Sequence, residues 1–225
     1  YLVPNYHNPT GHIMSQSRKE ALAAIIRKYA ILAIEDDIYG FLLEKPSLPL
    51  AHFAPDYTCY ICSLSKSICS GLRIAYLTFP TRFAADIRRG IYNVNVKTPS
   101  LNSETAGELI YSGTAKKIIG RKRMEAAARS EICKDFFPEI AKNPLWFSLW
   151  LPLPERFHET DFEHLAQKRG ISVCHSHRFL VGEADAQQYL RIALSSPDTK
   201  EELTKGLSIL RDLLASDMDE NFFCI

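Results

Sequence analysis

Tyr60-Ile61-Cys62-Ser63-Leu64-Ser65-Lys66, followed by Ser70-Gly71-Leu72-Arg73, governs the reading of everything around it. The strand-like run over residues 57–64 closes on Ser65 and Lys66. A lysine at the end of a buried strand is held rigidly and partly desolvated, which favours the neutral amine that a Schiff base requires. Ser63, Ser65 and Arg73 add two hydroxyl donors and one fork-shaped cation, a set suited to a dianionic phosphate. The plainer alternative is a loop lysine beside a polar turn.

Upstream, Ile31-Leu32-Ala33-Ile34 reads as a buried strand that ends on Glu35-Asp36-Asp37. Asp36 and Tyr39 are spaced so that a carboxylate can keep a pyridine nitrogen protonated while a phenol hydrogen-bonds a ring hydroxyl. Acidic runs also commonly just decorate loops. Further upstream, residues 1–4 are apolar and give way to Asn5-Tyr6-His7-Asn8-Pro9-Thr10-Gly11, a run of turn formers that leaves the Asn8 amide able to donate. Between these segments the sequence predicts a helix. Ser17 with Glu20 reads as its capping box, and Leu22, Ile25, Ile26 and Tyr29 as its apolar face.

Downstream, residues 73–79 form a third strand-like run. Asn8, Asp36 and Lys66 each follow a separate apolar strand, so all three can meet on one edge of a largely parallel α/β sheet, where such sheets bind ligands. Past residue 100 the character changes. Residues 103–137 read as helical, with Gly113 and Gly120 as candidate breaks. Strands follow at 146–151, 171–174 and 189–194, and a helix at 161–169 closes on Gly170. A last helix is capped by Thr199 with Glu202 and carries Leu203, Leu207, Leu210 and Leu214 on one face. The expected division is a large-domain portion over 1–100 and a smaller α+β domain over 101–225.

With 225 residues, 46% hydrophobic, 24% charged and a net charge of +1, the composition is that of a globular chain, not a disordered or fibrous one. Balanced charge argues against a broad nucleic-acid or membrane surface. No apolar run approaches the roughly 18 residues of a membrane helix, and there is no signal-peptide pattern. Six cysteines are too sparse for a disulfide scaffold, so a cytoplasmic location is expected. The start at Tyr1, inside an apparent strand, suggests a piece of a longer protein. Cys59 and Cys62 alternate to opposite strand faces, which makes them poor joint ligands, and no metal is expected. The basic run Lys116, Lys117, Arg121, Lys122 and Arg123 reads as a solvated helix face. His7, His175 and His177 read as loop histidines, and Trp146 and Trp150 as core or interface residues.

The pieces Asn8-Pro9-Thr10-Gly11, Glu35-Asp36-Asp37-Ile38-Tyr39, Ser63-Leu64-Ser65-Lys66 with Gly71-Leu72-Arg73, and Tyr189-Leu190-Arg191 together resemble the fold-type I, pyridoxal-phosphate-dependent aminotransferases. The resemblance implies a Schiff base at Lys66 and a pyridinium partner in Asp36. It also implies ring-oxygen contacts from Asn8 and Tyr39, a phosphate site of Ser63, Ser65 and Arg73, and a substrate carboxylate on Arg191. Within that superfamily, residues 112–129, 149–155, 170–173 and 201–207 look most like the aminotransferase-like effector domain of MocR-type regulators, a branch of the GntR transcription factors. Ser70 and Ala75 depart from the proline and glycine usual there.

The expected function is therefore a pyridoxal 5'-phosphate-binding sensor for an amino acid or amine. Such a sensor acts as a homodimer and touches DNA only through an N-terminal winged helix-turn-helix outside this sequence. The same likeness implies that this piece lacks one wall of the pocket and is inactive alone. The alternative is an aminotransferase that moves an amino group between an amino acid and a 2-oxo acid.

Overall fold

The computed structural model describes residues 1–140, 145–157, 159–182 and 187–216, with backbone alone for 159–161. These fall into two compact units, one of residues 1–8 and 12–123, the other of residues 9–11 and 124–225.

In the first unit, helix α1 (Gln16–Tyr29) starts at Ser15, whose hydroxyl accepts from the Arg18 N–H. The expected cap at Ser17 is thus two residues late, and Glu20 instead accepts from the Gln16 amide. The buried face carries Lys19, Ala23 and Ile26, while Ile25 and Tyr29 are exposed. The helix is rotated from its simple apolar stripe because Lys19 finds three acceptors inside the fold.

Strand β1 (Ala33–Asp36) pairs in parallel with β2 (Thr58–Ser63), Ala33 opposite Thr58 and Asp36 opposite Ile61. Leu2 adds a parallel bridge at Glu35. Strand β3 (Ala75–Thr78) runs antiparallel to β2, Ser63 opposite Ala75. The 64–74 connection, which holds the one-turn helix α3 (Leu64–Ser67), is too short for the crossover a parallel neighbour needs. Nor is β1 the buried strand expected: Ala33 and Glu35 turn inward, while Leu32 is 50% exposed. Its alternation is that of a half-covered sheet.

Two small apolar clusters hold this unit. Ala23, Ile26 and Ala33 pack on Leu50 and Ala54 at helix α2 (Leu50–Phe53). Leu64, Ile68 and Ile74 pack on Ala106 of α5 (Ser100–Tyr111) and Ala115 of α6 (Thr114–Phe136). Helix α4 (Ala84–Asn95) buries no residue. Gly113, at φ +74°, separates α5 from α6; Gly120 breaks nothing.

The second unit is built on a wholly antiparallel sheet in the order β4 (Ser148–Leu153), β6 (Gln188–Ala193), β5 (Cys174–His175). Leu149, Leu151, Leu153 and Leu190 alternate onto one face and join a single core with Phe162 of α7 (Glu159–Lys168) and Leu203, Leu207, Leu210 and Leu213 of α8 (Lys200–Ala215). Thr199 and Glu202 form the expected capping box. Leu213, and not Leu214, completes the buried stripe. The opposite sheet face carries Arg191 beside Trp150, whose ring stacks on Tyr189 with centroids 5.1 Å apart. In the same unit Trp146 is buried against Gly11, where a Cβ would clash with the indole and the backbone sits at φ +70°. That turn requires glycine.

Candidate functional site

The parallel β1–β2 pair puts both carboxyl ends at one sheet edge, and antiparallel β3 begins at that same edge. Asp36 closes β1, Ser63 closes β2, and Ser65 and Lys66 stand on the turn immediately beyond it. Arg73 precedes β3 at φ +52°, in the left-handed region. The Leu64 N–H donates to the Ile74 carbonyl at 3.0 Å, stitching the lysine turn to the arginine turn. The chain also runs alongside β1 at the Leu2 bridge, and the Asn5 amide reaches Asp37 just past the end of β1; Asn8 follows three residues later. Tyr39 lies three residues beyond Asp36 and is 8% exposed. One unit thus has Asp36, Ser63, Ser65, Lys66 and Arg73 at the end of its sheet, and the same unit contains Asn8 and Tyr39. Arg191 belongs to the other unit, on β6.

The donor set has the chemistry of an anion and aldehyde site. Ser63 accepts the Ser65 N–H at 3.2 Å, which leaves its own hydroxyl hydrogen to give. Among the described residues, no hydrogen bond engages Lys66 Nζ, the Ser65 hydroxyl or the Arg73 guanidinium. Lys66 is exposed, not partly desolvated as a strand-end lysine would be, because it stands on α3, whose buried members are Leu64 and Ser67. Asp36 takes the Tyr1 phenol at 2.5 Å on one oxygen and the Ile38 N–H at 3.2 Å on the other. That carboxylate pushes the Tyr1 pKa up to about 12, chiefly through the hydrogen bond. Arg191 has a buried Nε without a hydrogen-bond partner among the described residues.

The acidic run does three different jobs. Glu35, fully buried, accepts the Leu50 and Ala51 N–H groups at 2.9 Å each and so holds the start of α2. Burial raises its pKa, and the two N–H groups pull it back in part. Asp37 accepts from the Asn5 amide and the Tyr60 phenol, both at 2.7 Å, and its carboxylate presses on Gly40, where a Cβ would overlap it. Beneath them Lys19, also fully buried, donates to Asn5, Ser47 and the Leu48 carbonyl. Sequence reasoning treated 35–37 as one cluster and missed Lys19; strand alternation, which sets 35 and 37 apart from 36, was the available signal.

The basic run of α6 is likewise not uniform. Lys116, Lys117 and Arg121 are exposed, but Lys122 is half-buried and donates to the Lys66 and Ile68 carbonyls. Cys59 is buried and Cys62 half-buried; all five described cysteines are free, and Cys224 lies outside the described residues. No group of three or more potential metal ligands occurs among the described residues.

The chain belongs to the aminotransferase class I and II family, which matches residues 2–208. It is 35% identical over 95% of its length to the uncharacterized HTH-type transcriptional regulator YdeF of Bacillus subtilis, of which it covers 47%. It is 36% identical over 50% of its length to the rat mitochondrial kynurenine/alpha-aminoadipate aminotransferase, covering 26% of that protein. The chain therefore spans about half the length, or less, of the relatives it matches. In fold it resembles the Pyrococcus horikoshii kynurenine aminotransferase, with a TM-score of 0.84 at 19% identity, over 100% of this chain and 56% of that one. The architecture is that of the fold-type I aminotransferases.

Proposed function

We propose that this chain is the pyridoxal 5'-phosphate-binding portion of a MocR-type effector domain, a sensor of an amino acid or amine in a transcriptional regulator. The observation that carries the reading is the assembly of amine, carboxylate, two hydroxyls and guanidinium at one sheet edge. The likeness to a regulator, 35% identical over 95% of the chain, supports the sensor over the enzyme, since an uncharacterized aminotransferase of Saccharolobus solfataricus that matches over 97% is 26% identical.

The bound cofactor supplies an aldehyde that captures amines and a ring that withdraws electrons. Lys66 would offer the amine that holds the aldehyde and, as a free amine, would be placed to carry a proton. Ser63, Ser65 and Arg73 hold the phosphate. Asp36 keeps the ring nitrogen protonated; the Tyr1 phenol now on it belongs to a 76%-exposed side chain, which a ring N–H displaces at small cost. Asn8 and Tyr39 hold the ring oxygen, and Arg191 takes the ligand's carboxylate as a bidentate pair. In this reading the large-domain portion over residues 1–100 holds the cofactor. The complete protein pairs as a homodimer in the cytoplasm and touches DNA through a separate domain.

Titrating the complete natural chain with pyridoxal phosphate tests this. Lys66→Ala is expected to abolish the visible absorbance of the covalent adduct, and borohydride to trap the cofactor on the Lys66 peptide of the native chain. An unchanged spectrum in Lys66→Ala overturns the assignment. The second reading, an aminotransferase proper, is favoured by steady production of a 2-oxo acid from an amino acid without any response in DNA binding.

A further inference from the structure

Lys122 stands seven residues after Ala115 and seven before Arg129, on the inward stripe of α6 and not on its solvated side. Its ammonium donates to the main-chain carbonyls of Lys66 at 2.8 Å and Ile68 at 2.9 Å. Those carbonyls close the single turn of α3, and among the described residues no backbone N–H reaches them. The Ile68 and Cys69 N–H groups both go back to Leu64. A cation at a helix's carboxyl end meets the partial negative charge of the unpaired C=O groups. A second helix pins the same loop, since the Asn102 amide of α5 donates to the Leu72 carbonyl at 2.9 Å.

We propose that Lys122 is a positioning residue for the reactive amine: it fixes the main chain of Lys66 so that Nζ is presented in one place. This rests on the assignment of Lys66 as the anchor for the cofactor aldehyde. The phosphate donors are held differently: Ser65, although on the same turn, is tied to Ser63 by its own N–H at 3.2 Å. Ser63 and Arg73 are set by the β2–β3 pairing and the Leu64-to-Ile74 hydrogen bond, neither of which involves Lys122. Burial lowers the Lys122 pKa, a cost that a solvated lysine of the same run does not carry. Loss of Lys122 therefore frees the amine while leaving the phosphate site standing.

The test separates capture from binding in the complete natural chain. Two ligands are compared: pyridoxal phosphate, followed by absorbance and borohydride trapping, and pyridoxine phosphate, which has the same ring and phosphate but no aldehyde. Lys122→Met keeps the stem and removes the donors. It is expected to slow covalent capture by about tenfold or more, because small misplacements of a reacting group are costly. Pyridoxine phosphate affinity should stay within about twofold, and Lys122→Arg should restore most of the capture rate. Capture at the native rate in Lys122→Met overturns the proposal, as does an equal fall in capture and analogue binding that arginine does not rescue. If Lys122→Met does not fold, Lys122→Leu, which also lacks a donor, is read by the same criteria. Lys66→Ala serves as the control. Covalent capture surviving in it defeats the underlying assignment, whereas its loss beside normal capture in Lys122→Met defeats only the role of Lys122.

Discussion

The two units solve the same problem of holding a three-stranded sheet in opposite ways. The second lays one apolar face of β4 and β6 on α7 and α8 and closes a continuous core. The first has, among the described residues, two small clusters, leaves Ile34 and Tyr76 of its sheet exposed, and buries Lys19, Glu35 and Asn5 as deeply as its leucines. A core of leucines tolerates no loss of volume but asks little of geometry. A buried polar network contributes modestly when complete and costs heavily when broken. The unit that carries Lys66 is thus held by directional bonds, which suits the aimed amine proposed for it.

The largest expected effect lies in the apolar unit. Phe162→Ala removes a fully buried ring set edge-on to Phe157, with centroids 4.9 Å apart. It should cost about 3–5 kcal/mol in chemical denaturation. A loss below about 1 kcal/mol would mean that this core is not the continuous body described. Next comes the polar unit. Lys19→Met keeps the volume but strips Asn5, Ser47 and Leu48 of a shared donor and leaves Glu35 and Asp37 without the nearby cation. It should cost about 2–3 kcal/mol, with weakened hydrogen-exchange protection around residues 47–51. A neutral or stabilising result would break the contrast between the units.

The smallest effect is one of sign. Arg178 beside Glu163 holds that carboxyl below its ordinary 4.5, so the stability it gives is complete above that value and disappears as pH falls through the depressed one. Burial raises Glu35 above 4.5, so stability is complete at and below 4.5 and is lost as pH rises through the raised value. Denaturation midpoints against pH for Glu163→Gln and Glu35→Gln should therefore differ from the native curve with opposite slopes. Slopes of the same sign would show that the two acids are not in contrasting surroundings.

Much of this was legible without coordinates. The strand-to-lysine passage, the Thr199–Glu202 cap and the α8 leucines are local patterns whose meaning does not depend on distant residues. What failed did so for nameable reasons. The Ser17 cap competed with Ser15, two residues away and equally able to accept an N–H. The inner face of α1 turned on Lys19, whose three acceptors come from segments as far off as Leu48. The burial expected of β1 depended on which sheet face is covered, something alternation alone does not say.

From the order of its residues alone, this chain announced a phosphate-suited trio around Lys66, a carboxylate at the preceding strand end, and the family to which such a set belongs. These are properties of chemistry and spacing along a line. Only the folded chain separated Glu35, Asp36 and Asp37 into a helix tether, an acceptor at the strand end and a network hub, and drew Lys122 out of a basic run to hold the lysine turn. Burial and hydrogen-bond direction come from segments far apart in sequence, and no local pattern encodes them.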